Sequence, residues 1–172
     1  MIVAAAFAMA VLSSCEWDFT VTRNSSIDGN EYVDEELSDG ASRFAPALLH
    51  SNRIIEHIAS SNIDKLFALG SREFVRQNNR DTVANLVSSI DENFGGLLEY
   101  KSQQWSFTTF KHEGISYVYS SKIVIHEKAE TIYHILYVDD DLFTGYQALF
   151  IRTRVEGESM SAATKRVIND NT

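Results

Sequence analysis

The sequence predicts an α+β fold, with about three N-terminal helices packed on a four-stranded, curved antiparallel meander sheet. Three observations predict it. Apolar residues recur at helical spacing between Arg43 and Gly96. Beyond Tyr100 the period drops to two, as half-buried strands require. The segments that follow are joined by turns too short for parallel crossovers. Helices in one run and strands in the next place the helices on one sheet face. A chain of 172 residues, 44% hydrophobic and 11% aromatic, has enough apolar material for one such core.

The first helix is read from "RFAPALLHSNRIIEHIASSN", where Phe44, Leu48, Ile55 and Ile58 share a face. Pro46 falls in its first turn, where a missing N–H costs little. A short second helix follows in "NIDKLFALGS", capped by Asn62, carrying Ile63, Leu66 and Phe67, and ended by Gly70. The third, "NRDTVANLVSSIDENFGG", puts Val83, Leu86, Val87, Ile90 and Phe94 on one face. Asn79 or Asp81 starts it and Gly95-Gly96 stops it.

Four strands then alternate: "QWSFTTFK", "ISYVYSSKIVIH", "TIYHILYV" and "GYQALFIRTR". The turns between them are "HEG", "EKAE" and "DDDLFT". Tyr117, Tyr119, Ile123 and Ile125 on the second strand, and Tyr133, Ile135 and Tyr137 on the third, are expected to face the core. Val118, Val124 and Leu136 make the opposite faces less than fully polar, so the sheet is expected to curl or be partly covered. The domain spans 43–154, and the polar tail 155–172 has the pattern of a short helix around Met160 to Ile168.

The order of long helix, short helix "NIDKLF", third helix ending in Gly-Gly, and closing sheet resembles the cystatin-like cone of the nuclear transport factor two-like superfamily. The resemblance covers Arg43 to Arg154 as a pattern, with no shared motif. It implies a hydrophobic ligand inside the sheet, with Trp105, Tyr117, Tyr119, Tyr133 and Tyr137 as candidate pocket lining. Some cone-shaped relatives use a buried Asp with a Tyr for proton transfer. Here Asp139 stands at a strand end and no acid sits mid-strand among those aromatics.

The N-terminus has a different character. Ile2 to Leu12 carry no charge, and the run is too short for a bilayer span of about 20 apolar residues. It fits the hydrophobic region of a secretory leader. The residues that end it, Leu12-Ser13-Ser14-Cys15, resemble the lipobox of bacterial lipoproteins. That resemblance implies a signal peptide at 1–14, diacylglycerol on the Cys15 thiol, and Cys15 as first mature residue. Leaders of that family open on Lys or Arg, and this one has neither ahead of its apolar run. From Glu16 the chain turns acidic, with Arg23 as the sole base before Arg43. Residues 15–42 read as a flexible, self-repelling tether of about 30 Å.

The formal net charge of -9 opposes binding to nucleic acid or to an anionic membrane surface. Membrane contact is therefore expected through covalent lipid. No metal or cofactor is expected: His50 and His57, seven apart, lack a third ligand at a recognised spacing. With "EKAE" as the turn, His126 faces Thr131 and His134 lies near Ile123, which does not make them co-ligands. Counting a calcium loop from Asp139-Asp140-Asp141 puts Thr144 and Phe150 where Gly and an acid belong. Cys15 has no catalytic partner, and no G-x-S-x-G elbow occurs. The expected class is a lipid-anchored protein of the cell envelope, facing periplasm or exterior, with a non-catalytic domain that binds a small hydrophobic ligand or an envelope protein. The alternatives are a small hydrolase or isomerase of the cone-shaped superfamily, and a structural accessory that docks another envelope protein.

Overall fold

In the computed structural model the described residues are 26–27, 44–100, 105–112, 114–139 and 144–170. The lipobox, the tether apart from Ser26 and Ile27, and Asp140 and Asp141 lie outside them. Helices precede an open antiparallel sheet, so the α+β reading holds. The helices are α1 (Ala45–Ala59), α2 (Ile63–Ala68), α3 (Arg72–Gln77), α4 (Arg80–Phe94) and α5 (Met160–Asp170). The strands are β1 (Ser26–Ile27), β2 (Leu97–Glu99), β3 (Trp105–His112), β4 (Ile115–His126), β5 (Glu130–Val138) and β6 (Tyr146–Thr153). They run in the order β1-β3-β4-β5-β6, with β2 continuing the β3 edge of β4.

The helix ends follow from local chemistry. The Asn62 side chain accepts from the Lys65 N–H at 3.2 Å, and that of Asn79 from the Thr82 N–H at 2.8 Å. Gly95, at φ 76°, closes α4 in a conformation that favours glycine. The expected α4 face, Val83, Leu86, Val87, Ile90 and Phe94, is the buried one.

The expected count of three N-terminal helices is corrected to four, because "SREFVRQ" forms α3. It is six residues long, too short to show a period. Ser71 caps it by accepting from the Phe74 N–H at 3.0 Å, and Phe74 drops into the core, 5% exposed. Before α3, residues 69–71 pair in parallel with the start of β6. Ser71 donates to the Tyr146 carbonyl at 2.9 Å, and Tyr146 donates to that of Leu69 at 3.2 Å.

The four strands of the meander fall where the alternation put them, but among the described residues the sheet has six, because the short β1 and β2 add to β3 and β4. Two further corrections concern its detail. The β4–β5 turn is tighter than "EKAE". His126 N–H donates to the Ala129 carbonyl, and Val124, not His126, stands opposite Thr131. The end of α4 holds this turn, since Glu127 and Lys128 donate to the carbonyls of Gly96 and Phe94 at 3.1 and 3.0 Å. The second correction concerns β4. Val118, Ser120, Lys122 and Val124 face the helices, and Tyr117, Tyr119, Ile123 and Ile125 face the other way. The pairing of Val118 with Tyr137 and Val124 with Thr131 requires it, because directly paired residues share a face. On β5 the expected face, Tyr133, Ile135 and Tyr137, does meet the helices.

The main core lies between α1–α4 and the sheet; in it the Phe44 and Phe107 rings stack with centroids 5.0 Å apart. The outer face carries a second cluster of Phe110, Tyr119 and Val167, with Tyr117, Leu136 and Phe150 packed against it. Val167 belongs to α5, so the polar tail covers the outer face.

Gly145 sits where β6 meets the α2–α3 corner. Its φ is 139°, and a Cβ there would lie 2.5 Å from the Ser71 nitrogen and 2.6 Å from the Gly70 carbonyl carbon. Gly145→Ala should therefore cost about 3 kcal/mol in denaturant unfolding. Gly114→Ala, also at positive φ but facing open space, should cost only about 1 kcal/mol. Equal losses at the two positions would contradict the packing of the corner.

Candidate functional site

The sheet divides the five expected pocket residues. Trp105, Tyr133 and Tyr137 lie on the helix side, fully buried. Tyr119 and Tyr117 lie on the outer side, stacked on Phe110 at 5.4 Å in both cases. The five do not line one cavity, because Tyr117 and Tyr119 pair with Val138 and Leu136, which alternate along β5 with Tyr133 and Tyr137 and so point to the opposite face. Cys15 is outside the described residues.

On the helix side the polar groups converge between α1 and the sheet. Ser51 replaces an apolar residue in the stripe that α1 buries between Ala47 and Ile55. Its Oγ lies 2.6 Å from Ser120 Oγ and 2.7 Å from the Tyr137 hydroxyl. The next α1 residue, Asn52, accepts from the Trp105 indole N–H at 2.8 Å. Lys122, only 1% exposed, holds its Nζ 5.1 Å from the Trp105 ring centre, a cation–π contact in a dry setting. His50 meets Tyr137 edge-on at 5.9 Å.

Burial sets the protonation states. It pushes the Tyr137 hydroxyl well above the ordinary tyrosine range, against the opposing effect of its hydrogen bonds to Ser51 and Ser120. His50 is lowered by burial and then by the Arg53 charge, which keeps it neutral at pH 7. The cluster therefore offers neutral hydroxyl donors and acceptors, with a cation beside an aromatic wall. It can hydrogen-bond a polar group, and burial raises the proton affinity of its tyrosine hydroxyl while lowering that of its histidine.

A second polar unit ties α4 to the sheet. His126 Nδ1–H donates to the Gly95 carbonyl at 2.9 Å, which leaves Nε2 to accept from the Tyr133 hydroxyl at 3.2 Å. Both ring nitrogens are used, and burial lowers its proton affinity. His134 lies on the opposite sheet face, so the two histidines point away from each other. Among the described residues, no three of His, Cys, Asp and Glu come together in a way that could hold a metal ion.

Sequence reasoning missed Ser51, Asn52, Ser120 and Lys122. A signal existed for one: Ser51 is a polar residue inside an otherwise apolar helical stripe. Ser120 and Lys122 carried none, because they alternate with Tyr119 and Ile123, which the sequence pattern assigns to the core face.

Fold and site together define an α+β domain with a packed, hydroxyl-lined interior. Beyond that class the comparisons add nothing: the chain matches no protein-family model, no curated protein and no solved structure. No helix among the described residues is long and apolar enough to cross a membrane.

Tyr119, Tyr133, Tyr137 and Tyr146 are all raised by burial above the ordinary value of 10.0. A raised folded-state pKa gives stability that is complete below pH ~10 and is lost as pH rises above it. Absorbance titration should show these four of the seven tyrosines staying protonated until the chain unfolds cooperatively above pH ~10. Smooth ionisation of all seven in a chain that stays folded would contradict their burial.

Proposed function

We propose that this protein is a bacterial envelope lipoprotein, held at the membrane by lipid on Cys15 and presenting a non-catalytic, cone-like binding domain. One observation carries the reading: the uncharged run Ile2–Leu12 ends on Leu12-Ser13-Ser14-Cys15, with acidic sequence following. An anionic chain gains nothing from a charged lipid surface, whereas each buried lipid CH₂ contributes about 0.8 kcal/mol. Covalent lipid therefore supplies the attachment, and the acidic stretch between Cys15 and the β1 pairing at Ser26–Ile27 sets the domain off the surface.

The interior supports binding over catalysis. Ser51, Ser120 and Tyr137 hydrogen-bond one another, and burial raises the Tyr137 hydroxyl away from the range a proton donor needs near neutral pH. A ligand entering on the helix side would meet Trp105, Tyr133 and Tyr137 beside the Ser51 and Ser120 hydroxyls, chemistry that suits a small molecule, mostly apolar with one polar end. The register irregularity in β6 opposite Leu136 and Tyr137 supports the curvature of a cone, because bulges bend the strand that carries them.

The anchor is tested by the mass of the mature N-terminal peptide from a bacterial membrane fraction. The expected species begins at Cys15 with a diacylglyceryl thioether, and Cys15→Ala should shift most of the protein out of that processed, membrane-bound form. A chain with unmodified Met1, or an unchanged membrane fraction in Cys15→Ala, would overturn the reading.

A further inference from the structure

The outer face holds a buried histidine that the proposed binding site does not use. His134 is 0% exposed. Its Nδ1 lies 2.8 Å from Ser121 Oγ, which lies 3.1 Å from Thr164 Oγ1 of α5. Its Nε2 is buried with no hydrogen-bond partner. This differs from His126, whose two ring nitrogens are both bonded. Protonating His126 only asks the Tyr133 hydroxyl to turn from donor to acceptor. Protonating His134 makes a charged N–H with no acceptor beneath α5, at a cost the docked state cannot offset.

The surroundings add to that cost. From β4, Tyr119 meets the His134 ring edge-on at 6.3 Å, and its hydroxyl is itself held protonated by burial. From β6, the Arg152 charge opposes a second cation. From α5 comes Thr164, which is uncharged. The carboxylate in this region, Glu158, is 5% exposed and already bridges Arg152 at 2.7 Å and Arg166 of α5 at 2.8 Å. Burial first, and Arg152 second, push His134 down to about 3.

The docking of α5 is modest by comparison. Ala163, Thr164 and Val167 are its buried residues among those whose side chains are described. Arg166, on the same helix, reaches Glu158.

We propose that α5 is a proton-sensitive cover: docked, it keeps His134 neutral, and proton uptake by His134 releases it and uncovers the aromatic outer face of Phe110, Tyr119 and Phe150. The sign follows from the depressed folded value. Docking is fully stabilised above the free imidazole value of 6.5 and weakens progressively as pH falls toward 3.

The test is hydrogen exchange on the full-length chain, corrected for the intrinsic pH dependence of exchange, in wild type and His134→Gln. The opening equilibrium of residues 160–170 should rise roughly 70-fold between pH 7 and pH 4.5 in the wild type, while protection in α4 and β4 persists. In His134→Gln, which can keep a bond to Ser121 but cannot titrate, it should stay flat. A flat wild-type response, the same rise in His134→Gln, or equal loss of protection across α4 and β4 would each overturn the proposal. Should His134→Gln fail to fold, ring-nitrogen NMR on the wild type decides. His134 protonation and α5 release must then share one midpoint. A proton taken up with α5 still protected, or α5 released with His134 neutral, would sink it.

Discussion

The structure depends on one strand being buried from both sides. β4 is twelve residues long, pairs with β3 and β2 along one edge and with β5 along the other, and offers neither face to water over most of its length. Its even-numbered residues from Val118 to His126 form the floor beneath the helices. Its odd-numbered residues pack Tyr119 and Ser121 against α5 and the aromatics around it. A slip of one residue would exchange these sets, bringing Tyr117 and Tyr119 into the helix core and Lys122 onto the outer face. The tight turn at Glu127–Lys128, fastened to the end of α4, holds the register against that slip.

Because both faces are dry, each polar residue on β4 must find a partner in the layer it faces. Ser120 finds Ser51 of α1, Lys122 finds the Trp105 ring, and His126 finds Gly95 and Tyr133. Ser121 finds His134 and Thr164. These bonds join three layers that apolar packing alone would leave free to shift. They also separate the two faces by role. On the outer side His134 keeps an unsatisfied Nε2 beneath α5, whereas His126 on the helix side has both ring nitrogens bonded. That difference places the proposed proton sensitivity at His134, beneath α5, and not at His126.

Much of this was legible before the structure. The α4 stripe and its caps could be read because fifteen residues give a clear period between Asn79 and Gly95. The meander could be read because strand propensity and turn residues agreed. α3 could not, since six residues carry no period and its strongest signal, Ser71 three residues before Phe74, is common in loops. The inward face of β4 was assigned to its tyrosines because large aromatics on an alternating strand ordinarily mark the core. That inference fails where a C-terminal helix supplies a second layer; the short helix of the tail is legible in the sequence, but its docking on the outer face is not. The candidate site was half legible for the same reason. Trp105, Tyr133 and Tyr137 lie together, but Tyr117 and Tyr119 belong to the other face.

The burial of β4 on both faces can be measured directly by nuclear Overhauser contacts in one sample at neutral pH. The account predicts contacts from the Ser120 β protons to those of Ser51, and from Tyr119 ring protons to the Val167 methyls, in the same folded species. Contacts from the Tyr119 ring to Phe44 or Ile54, with none between the outer face and α5, would place β4 in the opposite register and contradict it.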